Sequence, residues 1–557
     1  MSAPAAERLE GAARPVAGTP PPPRPSRRQE TRPRRRWPVV LLLGLAAAWA
    51  AWGCGIGRGD VSNPDGWPVA ERFLAAALSP ELSGSFLSLL GAATAITVAY
   101  AALGAAAALL LGAVGALLVG ATSWRRASGD MAPSAAAVWT AARGVSALPR
   151  GLHEAVWGIL LVNVLGLDPL VAILAIAIPY GAVTAKVWAD LLDETPHAAY
   201  DRLRLGGAGR LSALLVGLVP QARGDLLSYA FYRFECALRS AVLLGIVGAG
   251  GLGFQLDVSF AALRYGEMWT VLFVVVVLCA GVDRGGAALR RRLAGPPRPG
   301  RDPVVVAVAG GLLGLLVWSW LYLAVDLGGL VGDQVREQIR LIAGSAWPVP
   351  LDGPVLAALG RAGLETVQMS LLAIALAGLG GVLLAPLAAR RTTAGLARRV
   401  LGGTTRLGLL LLRAIPSPVW ALVLLFVTLP GPLPGALALA LHNLGVLGRL
   451  CAEAVENVDP APTDALLVGG ASPAVAWLYG TFPRLGPRLL VFVLYRWEVV
   501  VRETVVVGIV GAGGLGDLLA GQIAAFDWGA VAATLTALVL LTFAVDLASA
   551  GLRRALR

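Results

Sequence analysis

Long apolar runs separated by shorter polar and basic stretches make up most of this chain. A helix that crosses the hydrocarbon core of a bilayer needs about 20 mainly apolar residues. Read on that scale, twelve segments qualify as spans. In the first half they lie near 38–56, 86–120, 135–165, 169–189, 223–246 and 266–284. In the second half they lie near 303–325, 364–389, 405–429, 433–454, 487–510 and 530–548. The 135–165 segment contains Pro149, where a break is expected, because proline has no amide to give and crowds the preceding turn. The pattern predicts an all-α polytopic membrane protein.

Composition agrees with that reading. Of 557 residues, 57% are hydrophobic and 14% are charged, a balance that a water-exposed surface does not carry. The net charge of +12 raises the question of a nucleic-acid partner, but the cations are gathered between apolar runs and do not form a basic face. Arg24, Arg27, Arg28, Arg32, Arg34, Arg35 and Arg36 precede the first run, and Arg284, Arg290, Arg291, Arg292, Arg298 and Arg301 sit at mid-chain. Such loops face the cytoplasm and its anionic lipid under the positive-inside rule. With a cytoplasmic amino terminus, Arg125, Arg126, the 190–222 loop, the 285–302 stretch, Arg390 to Arg399 and Arg553, Arg554 and Arg557 all fall on that side. Residues 1–36, rich in Pro, Ala and Arg, read as a disordered basic cytoplasmic tail and not as a signal peptide.

The two halves repeat one another. Moving the chain by 263 residues lays Asp201 on Asp464, Gly207 on Gly470, Pro220 on Pro483, Tyr232 on Tyr495, Arg233 on Arg496, Glu235 on Glu498 and Arg239 on Arg502. The nine residues GIVGAGGLG from Gly245 to Gly253 recur unchanged from Gly508 to Gly516. Shared hydrophobicity does not keep glycines and charges in one register, so one unit is present twice. The expected organisation is a first unit at 37–290 with its core at 85–284, a cytoplasmic linker at 291–302, and a second unit at 303–557 with its core at 364–548. Six spans per unit is an even number, so both units enter the membrane in the same sense. The pseudo-two-fold axis then runs along the membrane normal, with room for a pathway between the halves.

Candidate chemistry narrows the choice further. Cys54, Cys236, Cys279 and Cys451 are isolated residues without a CxxC spacing, and His153, His197 and His442 lie far apart, so neither a disulfide framework nor a metal site is expected. The single lysine, Lys186, follows Ala185, so no phosphate-binding GxxxxGK[ST] loop exists in this sequence. If ATP drives this protein, another chain binds it. Gly248 to Gly253 and Gly511 to Gly516 spell GxGxxG, yet each follows an apolar span and lacks the strand–turn–helix context of a dinucleotide site. The glycines are better read as a turn at the outer end of a span. No cofactor is expected, and a membrane-embedded enzyme lacks a nucleophile or metal cluster to work with. Gly104, Gly112 and Gly115, and Gly378, Gly380 and Gly381, are expected to let helices pack closely.

Between the fourth and fifth spans of each half runs a polar loop. Asp201 precedes Gly207 by six positions and Gly207 precedes Pro220 by thirteen; Asp464, Gly470 and Pro483 repeat both spacings. This resembles the cytoplasmic loop by which permeases of ATP-binding-cassette (ABC) importers dock on their ATPases, with Asp in place of Glu at both sites and only Ala465 preserving the first alanine of the EAA pattern. The stretches Tyr232-Arg-Phe-Glu-Cys-Ala-Leu-Arg239 and Tyr495-Arg-Trp-Glu-Val-Val-Val-Arg502, each running into GIVGAGGLG, resemble the permeases of phosphonate, phosphite and phosphate-type importers. Arg413-Ala-Ile-Pro-Ser-Pro-Val-Trp420 and Ala440-Leu-His-Asn-Leu-Gly-Val-Leu-Gly448 add to the match, and the first half diverges there.

The resemblance implies two tandem type I importer permease units in a prokaryotic inner membrane. It also implies two ABC ATPase subunits, an extracytoplasmic substrate-binding protein, and alternating access for a small solute, phosphonate or a related phosphorus oxyanion. Arg233, Glu235, Arg239, Arg496, Glu498 and Arg502 then have two readings. They line or gate an anion pathway, since guanidinium forks suit oxyanions, or they form ion pairs at i and i+4 that fix helix orientation. An ATP-independent secondary transporter or channel is the rival for the whole chain, although it would have no need of twin cytoplasmic loops.

Overall fold

A computed structural model describes residues 37–59, 61–125, 130–293, 302–390 and 395–556. The expected tail, most of the expected linker, Arg126 and Arg557 lie outside the described residues. Met1–Gly44 and Leu45–Arg557 form two units. Of the first, only the apolar start of a helix at 37–44 is described; the second holds both repeats.

The first repeat runs α1 (Trp37–Gly53), α2 (Trp67–Ala75), α3 (Gly84–Val119), α4 (Pro133–Val145), α5 (Ala147–Gly151), α6 (Glu154–Leu165), α7 (Pro169–Glu194), α8 (Ala198–Leu205), α9 (Arg210–Ala213), α10 (Val219–Leu244), α11 (Gly251–Ala261) and α12 (Tyr265–Leu293). The second runs α13 (Pro303–Tyr322), α14 (Asp333–Ser345), α15 (Gly353–Ala388), α16 (Leu396–Ala414), α17 (Ser417–Val427), α18 (Pro432–Glu456), α19 (Ala461–Val468), α20 (Pro473–Ala476), α21 (Phe482–Val507), α22 (Gly514–Ala524) and α23 (Trp528–Leu556). From α4 and α16 onward, equivalent helices begin 263 residues apart, the register of the sequence repeat.

Among the described residues, seven single helices are long and apolar enough to cross a membrane, and up to ten spans result if each bent pair counts as one. The pairs bend by 56° between α10 and α11, 93° between α16 and α17, and 59° between α21 and α22. α6 and the described part of α1 are apolar but shorter. Two expectations therefore change. The 135–165 segment is three helices, broken on both sides of Pro149, with the His153 side chain accepting from the Ala155 amide to start α6. The 405–429 segment is not straight: Pro416, which cannot donate to a helix, closes α16 and turns the chain into α17.

Small residues let the longest helices meet. A β-carbon at Gly112 would lie 2.5 Å from Thr184 and one at Gly115 would lie 2.6 Å from Ala185, which seats α3 on α7. Gly380 against Leu444 and Gly381 against Gly448 do the same for α15 on α18. The repeats also exchange their leading elements. Ala50 and Cys54 at the end of α1 pack with Met369 and Ala373 of α15, and Leu316 and Leu323 after the start of α13 pack into the core of the first repeat. Ser62 pairs with Thr428 as an antiparallel bridge, and the Asn63 amide donates to Val427 O at 2.7 Å. α2 lies on α17 and α14 on α6 in the same exchanged sense. Each repeat thus holds the other, which brings the broken helices and α10 and α21 together between them.

Candidate functional site

A cavity of about 850 Å³ lies between the repeats, walled by α5, α6, α7, α10 and α12 on one side and α16, α17, α18 and α21 on the other. Eight arginines line it, Arg150, Arg233, Arg239, Arg290, Arg413, Arg449, Arg496 and Arg502, against six carboxylates, Glu154, Asp225, Glu235, Asp283, Glu453 and Glu503. Charges at membrane depth are retained where they face a cavity or one another, and both conditions hold here. A smaller pocket of about 380 Å³ adjoins it, sharing Leu191 and Asp225, beneath the polar loop of the first repeat.

Several of these charges join the two repeats. Glu235 on α10 pairs with Arg239 at 3.3 Å on its own helix and with Arg413 of α16 at 3.5 Å. Asp283 on α12 receives Arg413 at 3.6 Å and Arg449 of α18 at 3.0 Å, while Arg449 also holds Glu453 at 2.8 Å. The equivalent residues of the other repeat adopt a different arrangement. Glu498 turns to Arg553 of α23 at 2.5 Å, and Arg502 donates to the carbonyls of Glu498 at 3.1 Å and Arg150 at 3.0 Å. The expected i, i+4 pairing is therefore present for Glu235–Arg239 and absent for Glu498–Arg502, because Arg553 captures the carboxylate.

Arg233 and Arg496, equivalent in sequence, also differ. Arg496 bonds Glu503 at 2.6 Å and Asn443, reaching away from the polar loop. Arg233 turns the other way, donating to the Tyr229 hydroxyl at 2.7 Å through Nε and 2.5 Å through Nη2. Its guanidinium lies over the rings of Tyr180 and Tyr229, at 4.8 and 5.0 Å.

The polar loops have one geometry in both repeats. Asp201 sits in the first turn of α8 and Asp464 in that of α19. Gly207 and Gly470 follow with φ of +87° and +84°, the left-handed conformation that ends a helix and that side chains resist. A short helix and a π turn come next, at 214–218 and 477–481. Pro220 and Pro483 then enter α10 and α21, and the widened turn accommodates a ring that would crowd the carbonyl four residues earlier. Gly217 lies close to Tyr200 and Gly480 close to Thr463, so the loop helix packs on the π turn in each copy.

The match to known proteins covers this architecture. Residues 140–295 and 367–557 fit the family described as binding-protein-dependent transport system inner membrane component. The chain belongs to that family. It is 31% identical to the phosphate-import permease protein PhnE of Mycolicibacterium smegmatis over 75% of this chain and 78% of that protein. It is 33% identical to the phosphite transport system permease protein PtxC of Stutzerimonas stutzeri over 45% of this chain and 87% of that one. No solved structure matches the chain.

As a permease of this family, it is a transport subunit whose system includes an ATPase and a binding protein, and its apolar helices cross the membrane many times. The cavity gathers Arg233, Glu235, Arg239, Arg496 and Arg502, and Glu498 lies behind it on Arg553. Each GIVGAGGLG segment of the permease is a kink. Gly248, Gly250 and Gly251, like Gly511, Gly513 and Gly514, have positive φ. The Thr97 and Thr366 hydroxyls accept from the Leu252 and Leu515 amides at 2.8 and 2.9 Å, which ties each kink to α3 or α15.

His197 bonds Thr122 at the base of the first polar loop, and His442 bonds Ile415 O inside the bend between α16 and α17. Sequence reasoning missed Glu154, Tyr180, Asp283, Asn443 and Glu503. The signal was available, because these are cavity positions where the repeats hold different residues or where a charge reaches across the repeats.

Proposed function

We propose that this permease forms the complete translocation path of an ABC importer for phosphate, phosphite or related phosphorus oxyanions, one fused chain standing for a pair of subunits. The observation that carries the reading is the arginine-lined cavity between the repeats, whose guanidinium groups suit tetrahedral oxyanions. The relatives named for phosphate import and phosphite transport support the substrate class.

The loops built on Asp201, Gly207 and Pro220 and on Asp464, Gly470 and Pro483 dock two ATPase subunits at the cytoplasmic face. An extracytoplasmic binding protein delivers the solute opposite. Each repeat contributes six spanning elements about a pseudo-two-fold axis normal to the membrane, with the amino terminus cytoplasmic. Arg239, Glu235 and Arg413 at one place, and Arg502, Glu498 and Arg150 at the other, act as a pair of gates. A carboxylate either bridges the repeats or withdraws to its own, and alternating access exchanges the two states.

The test is ATP-dependent uptake of labelled phosphate into proteoliposomes holding the permease, its ATPase and its binding protein. Uptake that needs ATP and the binding protein is the expected result. Uptake that proceeds without an ATPase would favour the secondary-transporter reading.

A further inference from the structure

The register of 263 residues exposes an exchange of charge between the repeats. Glu154 and Ser240 of the first repeat stand where Ser417 and Glu503 stand in the second, so each repeat holds one carboxylate and one serine, placed on opposite helices. Tyr180 likewise stands where Asn443 stands. In the second repeat the carboxylate is on α21 and neutralises Arg496 at 2.6 Å. In the first it is on α6, where it accepts from Ser240 at 2.6 Å and Tyr180 at 3.1 Å and lies 3.3 Å from His153.

Arg233 consequently has no carboxylate within ion-pair distance among the described residues. Its Nε and one Nη2 hydrogen are spent on Tyr229, and the rest of its fork meets no acceptor among the described residues. Among the described residues Arg150, Arg290 and Arg502 also lack a carboxylate, but Arg502 is spent on two carbonyls, and all three stand at positions where the other repeat also has arginine. The vacancy at Arg233 is different because it is written into the sequence.

We propose, on the reading of the chain as an oxyanion importer, that Arg233 is the specificity-determining contact for the translocated oxyanion and that its counterpart Arg496 is a compensated structural residue. Arg233 is half-buried and faces the cavity; a cation at membrane depth without a counter-charge is costly, and a passing oxyanion supplies that charge for the time it occupies the cavity. The free Nη1–Nη2 edge offers two parallel donors, one from each nitrogen, to two oxygens of a tetrahedral anion. Tyr180 and Tyr229 keep the guanidinium plane fixed through their ring faces, and Tyr180 is itself anchored by Glu154 and Ser240. The pathway is therefore one-sided: the solute binds the first repeat, while the second supplies the rigid wall.

The experiment uses the full transporter, with ATPase and binding protein, in proteoliposomes and measures labelled inorganic phosphate imported per ATP hydrolysed. Arg233→Gln lowers that ratio by about tenfold or more, the scale of one hydrogen bond to a charged group, and Arg233→Lys recovers part of it because charge returns without the fork. The paired exchange Glu154→Ser with Ser240→Glu, which copies an arrangement the second repeat already packs, also lowers the ratio by giving Arg233 a permanent partner.

Assembly with the ATPase is checked for each variant, and the paired exchange decides the matter if Arg233→Gln does not assemble. Wild-type ratios in the assembled variants overturn the subsite while leaving the importer intact. Failure of the wild type itself to import phosphate or phosphite overturns the importer reading and the subsite with it.

Discussion

Arg496 and Glu503 are joined at 2.6 Å with side chains 16% and 13% exposed, and Glu503 accepts a further bond from Asn443 at 3.0 Å. Replacing Arg496 by Gln leaves a carboxylate at membrane depth with one neutral donor. Breaking such a buried pair from one side costs about 3–5 kcal/mol, mostly the penalty of the stranded charge. Glu503→Gln strands Arg496 in the same way, at a similar cost. Replacing both leaves two neutral amides able to bond each other and Asn443, so the double variant should lie within about 1 kcal/mol of wild type.

The coupling between the two positions is therefore nearly as large as the two single losses added together, and of opposite sign. Stability is measured by denaturation of the purified permease in micelles, as a double-mutant cycle. Arg233→Gln provides the internal comparison. It loses bonds to one hydroxyl and its place over aromatic rings, about 1–2 kcal/mol, and strands no carboxylate. Single losses at 496 and 503 below about 1 kcal/mol that simply add would refute the buried-pair account.

Three further outcomes are expected. Gly207→Ala and Gly470→Ala strain the left-handed turn by about 1–2 kcal/mol each without any clash inside the chain, since nothing lies within 4 Å of the new β-carbon; the double variant should stay in the membrane and lose its ATPase on co-purification, and full retention would remove these loops from the docking surface. Gly253→Ala and Gly516→Ala place a methyl 1.7 Å from Val242 O and 2.2 Å from Val505 O, so each should lose at least about 1–3 kcal/mol, read as reduced folded yield, while normal yield would mean the kinks relax freely. Asp283→Asn weakens the hold on Arg413 and Arg449 across the repeats, by no more than about 1 kcal/mol because Arg449 is partly solvated, and should raise phosphate leak in vesicles without ATP; an unchanged leak would separate this layer from the gate.

Much of this fold was legible because membrane physics leaves little freedom. Apolar length located the long helices, although the twelve expected spans become seven single helices and three bent pairs among the described residues, and the repeat in GIVGAGGLG located the kinks. The breaks flanking Pro149 and at Pro416 were harder to read, because in a bilayer a broken helix must be rescued by neighbours and the rescuers are distant in sequence: His442 reaches Ile415 O from another helix. The shape of the polar loops was legible from three residue types at fixed spacing, and their π turns were not, since Leu214 to Leu218 reads as ordinary helix until Pro220 is placed on its neighbours. The partners of the cavity arginines were least legible. Glu235 and Arg239 are four apart and do pair, but Glu498 and Arg502 are also four apart and do not, because Arg553 on α23 takes the carboxylate. Spacing sets which pairs are possible, and packing against a third helix chooses among them.

A transporter assembled from two identical subunits must place the same residue at both members of every equivalent pair. The fused chain is free of that constraint, and its differences are not scattered. At the loop glycines, the kink glycines and the paired Arg, Glu and Arg of α10 and α21, the repeats keep the same residues. Where they differ inside the cavity, the changes come as a set: Glu154 with Ser240 and Tyr180 on one side, Ser417 with Glu503 and Asn443 on the other. The pair of residues is conserved in kind and exchanged in place, so each repeat keeps one carboxylate while only one keeps a neutralised arginine. Random divergence has no reason to preserve that balance, whereas a pathway with one binding wall and one structural wall requires it. Fusion permits the asymmetry, and on the proposed one-sided pathway the exchanged carboxylate decides which half receives the anion.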